Sequence, residues 1–378
     1  MGETHSIQLR GMTWDHPRGY GPLRACSATW FERTGVRIEW ERRSLQDFEA
    51  FPVAELAARY DLIVIDHPHV GQVARTGCLA PFETREAGSD AVDQAVGASL
   101  QSYRYQEQLW ALPIDAAAQV QAWRPDRLAA PPADWAAVLE LALDGGILCP
   151  LRPPHNLMAL FTLCGLAGHP ACAQGDALFD PAAGAEAYER LRELAARLDP
   201  RSAEWDPIAV LEQMAVPDAT AVCAPLVYGY VSYARPDAPG TRLAFSDVAP
   251  LQRGGSRAGS ALGGTGIAVS AHGHKRDAAL AFARWLAGAE AQCGPYVAGG
   301  GQPAHRAAWE DPRTNEATLG FYRNTRATLE GAWVRPRHAG YMIFQERASL
   351  RLGAALGARE PPVQLIAALN RLYLEVLP

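Results

Sequence analysis

Lysine is almost absent from this chain. Its 378 residues include a single lysine, Lys275, so nearly all of the 35 basic side chains are arginine. With 41 acidic side chains the formal net charge is −6, which argues against a dedicated nucleic-acid-binding protein, because such proteins need a basic face for the phosphates. Arginine nevertheless gives any pocket a ready donor for carboxylates or phosphates.

Cysteine is present, but without the spacing of a metal site or a disulfide framework. The seven cysteines are odd in number and include no C-x-x-C pair, so buried reduced thiols are predicted and a zinc site is not. No apolar run is long enough to cross a bilayer, and the first ten residues show neither the basic nor the apolar region of an export signal. The residues alone thus predict a soluble protein, and the free thiols suit a reducing compartment.

Catalytic and nucleotide-binding motifs are also missing from the sequence. It contains no nucleophile elbow and no H-E-x-x-H helix. The glycine runs at 263–266 and 299–301 lack the G-x-G-x-x-G and G-x-x-x-x-G-K-[ST] patterns. We therefore predict no cofactor, no metal ion and no catalytic residue, and favour a binding protein over an enzyme.

The most informative segment that is present is YDLIVIDHPHVG, residues 60–71. Its apolar, β-branched run at 62–65 predicts a strand buried on both faces. The polar residues just past this strand would lie at the carboxyl edge of a parallel sheet, where open α/β sheets collect their ligands. The chain length and the 48% of apolar residues fit two domains of ordinary size.

Alternating strands and helices are predicted along the whole chain. Strands are predicted at 7–12, 36–41, 62–65, 118–123, 147–151 and 219–224, with an extended crossing at 109–115. Helices are predicted at about 22–33, 44–60, 72–76, 135–143, 156–166, 185–198 and 275–286, and over most of the chain after 303. The initial β-α-β-α-β order implies a doubly wound sheet with right-handed crossovers.

Three segments in register resemble the extracellular solute-binding proteins of ABC importers, the maltose-binding-protein-like family. They are YDLIVIDHPHVGQVARTGCLAPFE at 60–83, EQLWALPIDAAAQVQAW at 107–123 and GGTGIAVSAHGHKRDAALAFARWLAG at 263–288. The resemblance implies a two-lobed α/β fold of the type II periplasmic-binding-protein class, with a doubly wound sheet in each lobe and a hinge between them. The first lobe would comprise 1–112 and about 263–305, and the second 113–262 and about 306–378.

The same resemblance implies a monomer that closes its two lobes around a small solute, as the binding component of an ABC-type transporter. The solute would be a sugar, an organic acid or an aromatic compound, and the permease of the importer would be the protein partner. The family resemblance implies a periplasmic or cell-surface location, whereas the missing export signal predicts a cytoplasmic one. An enzyme or metabolite sensor on the same scaffold is the alternative function.

Candidate ligand residues of the first lobe come from three segments. The loop after the first strand combines aromatic rings, a carboxylate, an imidazole and a guanidinium, in Trp14, Asp15, His16, Arg18 and Tyr20. Asp66, His67 and His69 follow the buried strand, and Asp115 ends the extended crossing. Hydrogen bonding to a solute is predicted for the second segment. The alternatives are that one of the histidines caps the next helix or bonds to the backbone, or that the three residues form an Asp/His/His metal cluster.

Candidates in the second lobe and at the crossings complete the predicted site. His155 and Asn156 follow the strand predicted at 147–151, and Tyr228 and Tyr230 follow the one predicted at 219–224. Phenol rings could close over a ligand, although helical spacing would place part of the tyrosine set in the core. Gly264, Thr265 and Gln302 lie in glycine-rich runs that would allow close backbone approach at a crossing.

Overall fold

The computed structural model describes residues 7–45, 47, 52–83, 94–172 and 177–377 as a mixed α/β protein. Up to residue 123 its elements are β1 (Gln8–Trp14), α1 (Pro17–Thr34), β2 (Arg37–Arg43), α2 (Val53–Ala57), β3 (Leu62–Ile65), a 3-10 turn (His67–His69), α3 (Val70–Thr76), β4 (Leu79–Ala80), α4 (Ser99–Ser102), β5 (Arg104–Tyr105), β6 (Gln108–Leu109) and β7 (Leu112–Trp123).

The middle of the chain is mainly helical. Its elements are α5 (Trp135–Leu143), α6 (His155–Leu166), α7 (Pro181–Ala195), a 3-10 turn (Pro200–Ala203), α8 (Pro207–Ala215), β8 (Cys223–Tyr228), a 3-10 turn (Val231–Ala234) and β9 (Ala244–Ser246). The last part contains β10 (Leu262–Ser270), α9 (Arg276–Ala287), α10 (Ala289–Ala291), a π-helical turn (Gln292–Tyr296), α11 (Arg306–Glu310), α12 (Pro312–Ala317), α13 (Phe321–Asn324), α14 (Arg326–Glu330), α15 (Tyr341–Ala358) and α16 (Pro362–Leu374). None of the helices in the described ranges is long and apolar enough to span a bilayer.

The chain forms two compact units, and neither of them is continuous in sequence. Unit 1 comprises the chain up to Ala116, Gly263–Thr314 and Arg337–Ala339, and unit 2 comprises Ala117–Leu262, Asn315–Pro336 and the chain from Gly340. The first passage between units falls inside β7, four residues after the predicted boundary at 112, because the predicted crossing and the strand after it form one continuous strand. The predicted boundary near 305 corresponds to a division at Thr314.

Unit 1 is built on a mixed sheet with the strand order β2-β1-β3-β10-β7, and β4 also pairs with β10. β1 runs parallel to both β2 and β3, whereas β10 is antiparallel to β3. All four residues of β3 are buried, as its continuous apolar run predicts. Each such aliphatic side chain contributes about 1.5–3 kcal/mol when it is fully withdrawn from water.

In unit 2, β8 and β9 pair antiparallel with β7. The helix α6 is buried over its whole length. α6 packs against α7 and α15. Its Gly165 lies against the backbone of Gly259, where any Cβ atom would overlap the carbonyl group. A helix that is apolar all round occupies the interior of a domain, which is the position of α6.

A three-residue segment of the carboxyl-terminal part, Arg337–Ala339, belongs to unit 1. The Arg337 guanidinium donates to the carbonyl oxygens of Gln101 and Arg104, at 2.6 Å each. Gly71 in α3 has no room for a Cβ atom, because the Arg337 carbonyl occupies that position. The glycine that follows the predicted ligand loop thus allows the close approach of two backbones.

Several sequence predictions are confirmed, and others are corrected. The strand at 62–65 and the helix at 135–143 have the predicted bounds. The helix predicted from residue 22 begins at Pro17, because His16 caps it and proline is well tolerated in the first turn.

The segment 147–151 forms only an isolated bridge from Ile147 to Cys223, since Pro150 cannot donate to a ladder. β8 begins at Cys223, four residues later than predicted, where its ladder with β7 starts. The helix predicted at 44–60 lies partly outside the described residues, and α2 occupies its later part.

Candidate functional site

One edge of the unit 1 sheet collects most of the first-lobe candidates. Met12 pairs with Ile63 and Ile65 pairs with Gly266, so the carboxyl ends of β1 and β3 lie at the same edge as the beginning of β10. Trp14 ends β1, Asp66 follows β3, and Thr265 precedes Gly266. This is the edge at which the sequence places a ligand, and the residues there decide what it can bind.

A buried ion pair joins Arg18 and Asp115 at this edge. The Arg18 Nε donates to Oδ2 of Asp115 at 2.8 Å, and Nη2 donates to Oδ1 at 2.5 Å. The Arg18 side chain is 4% exposed and that of Asp115 is fully buried. Burial raises the pKa of Asp115, while the charge and hydrogen bonds of Arg18 lower it. The bidentate geometry satisfies both groups, so the positive charge of Arg18 is balanced inside the protein.

Trp14 and His16 hold the start of α1 in place. Trp14 is buried, and a Cβ atom on Gly19 would lie 2.5 Å from its indole ring, which therefore packs directly on the helix. The His16 imidazole accepts from the backbone N–H of Arg18 at 3.1 Å, as an N-cap does. Burial, with a smaller effect of the Arg18 charge, lowers the pKa of His16 to about 4, so this imidazole is neutral at physiological pH.

Asp15 and Tyr20 lie on the outside of the same turn and share one neighbour. Asp15 is exposed and forms an ion pair with Arg42 at 3.1 Å. The guanidinium carbon of Arg42 lies 4.8 Å from the centre of the Tyr20 ring. Exposed pairs of this kind contribute little to stability, and Arg42, on β2, was not foreseen from the sequence because only tertiary pairing brings it here.

Of the polar residues after β3, His67 and His69 are buried and Asp66 is partly exposed. Asp66, rather than one of the histidines, caps the 3-10 turn, by accepting from the backbone N–H of His67 at 2.8 Å. His67 and His69 are 1% and 3% exposed, and His67 packs edge-on against Tyr103. Within the described ranges, no group of three or more His, Cys, Asp or Glu residues is placed to hold a metal ion, and this includes Asp66, His67 and His69.

Two of the candidates from the glycine-rich runs, Gln302 and Gly264, contact the backbone at Asp115 and Ala116. Gln302 is buried, and its Nε2 donates to the carbonyl oxygen of Ala116 at 2.7 Å. Gly264 has a φ of +96°, and its Cα approaches the Asp115 carbonyl too closely for a Cβ atom. Thr265 is 7% exposed, and its Oγ1 has no hydrogen-bond partner among the described residues. Gln302 and Gly264 therefore support the backbone, whereas the Thr265 hydroxyl retains its hydrogen-bonding capacity.

In unit 2 the structure brings His155 and Tyr228 together. Their rings meet edge-on with centroids 6.3 Å apart, and His155 is the first residue of α6. Burial lowers the pKa of His155 to about 4, and Asp206, Arg335 and Arg152 act on it with smaller effects. Nothing in the sequence indicates that Arg335 lies near His155, because only the tertiary fold brings the two residues together.

The two remaining candidates of unit 2 lie in the interior. Asn156 is fully buried and donates from Nδ2 to the Ser349 carbonyl at 2.9 Å, which ties α6 to α15. Tyr230 is 6% exposed and lies 6.5 Å from Tyr233 between ring centroids. The alternative interpretation of the sequence, that part of the tyrosine set belongs to the core, describes Tyr233 in particular, which is 2% exposed.

Comparison with solved structures confirms the predicted fold class. Maltose-bound MalE3 of T. maritima is similar over 98% of this chain and 100% of its own, with a TM-score of 0.83 and 16% identity. A solute-binding protein of Thermotoga lettingae TMO bound with α-D-tagatose covers 99% and 100%, with a TM-score of 0.82 and 16% identity. A solute-binding protein of Agrobacterium radiobacter K84 in complex with ribitol covers 98% of both chains, with a TM-score of 0.76 and 19% identity. The fold is thus the two-lobed α/β class of these proteins.

The sequence itself matches a family model. The model is described as bacterial extracellular solute-binding protein, and it matches residues 28–316, which is well over half of the chain. None of the curated proteins compared with the chain matches it. The family predicted from the three sequence segments is confirmed by this match, and the chain belongs to the bacterial extracellular solute-binding protein family.

Proposed function

We propose that this protein binds a sugar, a polyol or a related polar compound as the solute-binding component of an ABC importer. The observation that carries the proposal is the match of residues 28–316 to the extracellular solute-binding family. Structural relatives in complex with maltose, ribitol and tagatose support this class of ligand. A permease partner, a monomeric state and a site of action outside the cytoplasm are parts of the same proposal.

The candidate residues divide into those that hold the backbone and those that can contact a solute. The side-chain amides of Asn156 and Gln302 donate hydrogen bonds to backbone carbonyls. The charges of Arg18 and Asp115 neutralise each other in a buried ion pair. The Thr265 hydroxyl in unit 1 and the His155 Nδ1 in unit 2 have no hydrogen-bond partner among the described residues. A buried polar group without a partner costs about 1–3 kcal/mol, and a hydroxylated ligand would remove that cost. We therefore propose Thr265, within unit 1, and His155, within unit 2, each as a residue that can make a polar contact with a solute.

Ligand screening tests the proposed function directly. Thermal unfolding would be followed with maltose, mannitol, ribitol, tagatose and simple organic acids, and calorimetry would give the affinity of each compound that stabilises the protein. A ligand that binds only the folded state adds about 2.7 kcal/mol at a hundred times its Kd. Absence of stabilisation throughout this panel, with no compound retained in native mass spectra, would contradict the proposal.

Thr265→Val tests the assignment of the site. The isosteric change removes a hydroxyl that has no hydrogen-bond partner in the described part of the chain. The unliganded variant should therefore be at least as stable as the parent. The affinity for the solute found in the screen should fall about tenfold, since one hydrogen bond of about 1–1.5 kcal/mol is lost. The exposed Thr76→Val, at the end of α3, is the matched control and should leave the affinity unchanged. Unchanged affinity in Thr265→Val would remove this residue from the site.

A further inference from the structure

The beginning of α6 combines several groups that favour an anion. α6 has 12 residues and is preceded by Pro154, which has no polar side chain to cap the helix. Pro154 accepts from the N–H groups of Leu157 and Met158, and the N–H of Asn156 donates to none of the described residues. The first turn of a helix carries a partial positive charge, and an unpaired N–H group in that turn can donate to an anion bound at the amino-terminal end of the helix.

His155, the first residue of this helix, supplies a second and independent observation. Its side chain is 4% exposed, and Nδ1 has no hydrogen-bond partner among the described residues. Tyr228 fixes the ring by edge-on packing. A buried imidazole nitrogen that lacks a partner is costly, so a ligand atom that forms a hydrogen bond with it would be stabilising.

Charges of both signs lie near this imidazole. Asp206, Arg335 and Arg152 all act on His155 electrostatically, and the effect of Asp206 is the largest of the three. Asp206 is engaged as the N-cap of α8, where it accepts from the backbone N–H of Ala209 at 2.9 Å. Arg335 is 5% exposed and donates to Oε1 of Gln345 at 3.0 Å. The Arg152 side chain is half-buried and makes no hydrogen bond or ion pair with the described residues.

We propose that the amino terminus of α6 binds an oxyanion, so that the solute is an acidic compound, such as a sugar acid or a sugar phosphate, rather than a neutral sugar. Arg152 would form the ion pair, while the Asn156 N–H and the His155 imidazole would donate hydrogen bonds to the anionic oxygens. Arginine suits both carboxylate and phosphate groups, because its guanidinium matches two oxygens at once. This inference rests on the proposed solute-binding function and specifies the class of solute.

Matched neutral and acidic probes test the acidic class of the solute separately from the solute-binding function. Calorimetry would compare D-glucose, D-glucuronate and D-glucose 6-phosphate, and then D-glucitol and D-gluconate, at low salt. We expect at least one acidic probe to bind ten times more tightly than its neutral counterpart, and this preference to weaken as salt is added. Glucuronate and glucose 6-phosphate distinguish a carboxylate site from a phosphate site.

The variants test Arg152 itself. Arg152→Gln should lower the affinity for the preferred acidic probe about tenfold more than that for its neutral counterpart, and Arg152→Lys should restore part of the loss. Arg253→Gln, at an exposed position of the same unit, should leave both affinities unchanged.

The outcomes that overturn the proposals are distinct. Neutral probes that bind as tightly as the acidic ones, with no selective loss in Arg152→Gln, would overturn the acidic-solute inference and leave the solute-binding function standing. Binding of neither series, together with failure of the wider ligand screen, would overturn the proposed function and this inference with it.

Discussion

Gly264 lies so close to the backbone carbonyl of Asp115 that the two residues leave no space for a side chain between them. The position a Cβ atom would take on Gly264 also lies 2.9 Å from the Cα of Ala116. Gly264 has a φ of +96°, in the region that only glycine adopts readily. At this point β10 passes the part of β7 at which the chain leaves unit 1.

Gly264→Ala should therefore destabilise the protein by about 2–4 kcal/mol, because overlap and backbone strain add. Chemical unfolding monitored by circular dichroism would measure the change. Gly357→Ala in α15 is the control, since a Cβ atom there meets nothing within 4 Å, and it should be neutral or slightly stabilising. Equal stability of the two variants would show that the close approach at Gly264 is relaxed in solution.

The ion pair between Arg18 and Asp115 should behave as a unit. Removing one partner leaves a buried charge uncompensated, so Arg18→Met or Asp115→Asn alone should cost about 3–5 kcal/mol. The double variant should be clearly more stable than the sum of the two losses predicts, because no unpaired charge remains. A double-mutant cycle by urea unfolding measures this coupling, and simple additivity would mean that the two side chains do not depend on each other.

The imidazoles of His16, which is partly buried, and His155, which is buried, make stability fall as the pH is lowered. The pKa values of His16 and His155 are about 4 in the folded protein, below the ordinary value of 6.5. Between pH 6.5 and 4 the unfolded chain therefore binds more protons than the folded one, and each group removes up to about 3 kcal/mol of stability as the pH falls through this range.

Replacement of either histidine should make the pH profile of the unfolding free energy shallower. His155→Gln removes one titrating group, and His16→Asn removes the other while retaining a side chain that can cap α1. Unfolding free energies at pH 7, 5.5 and 4.5 give the slope for each variant. Slopes identical to that of the parent protein would mean that these imidazoles titrate normally in the folded state.

The cysteines should differ in reactivity according to burial. None of the seven forms a disulfide within the described ranges; five are buried, and Cys172 and Cys293 are partly exposed. Burial raises the pKa of Cys149 and of Cys164 to about 12, which removes the reactive thiolate at neutral pH. Titration with a disulfide reagent should therefore detect two fast thiols in the folded protein and seven after denaturation. The double variant Cys172→Ser, Cys293→Ser should lose the fast phase, and persistence of that phase would place a reactive thiol in the interior.

Local patterns were sufficient to predict the elements that form without distant partners. The β-branched run at 62–65 gave a strand with the correct bounds, and Gly77 ends α3 in a left-handed conformation, as its place after a short helix predicts. α1 begins five residues earlier than the sequence predicts, since histidine is an uncommon cap and the pattern around Pro17 predicts a loop. Arg18, which the same pattern assigns to the loop, is a helical residue.

Local sequence patterns could not predict which candidate residues contact one another. Arg18 and Asp115 are far apart in sequence, and nothing in either segment indicates that they neutralise each other. Likewise, Gln302 and Asn156 were sound candidates by residue type, but their amides bind backbone carbonyls that only the folded chain brings near. The strand ends that the sequence predicts do share one edge of the sheet, while the contacts that each polar residue makes there depend on the tertiary fold.

The position of β10 between β3 and β7 has a consequence for biosynthesis. Ile65 pairs with Gly266, so the strand in the middle of the amino-terminal sheet leaves the ribosome long after its neighbours. At ordinary rates of translation this interval amounts to roughly 10–40 s. During that time the nascent β1–β3 segment exposes an unfilled strand position with apolar faces, which is the kind of surface that chaperones protect.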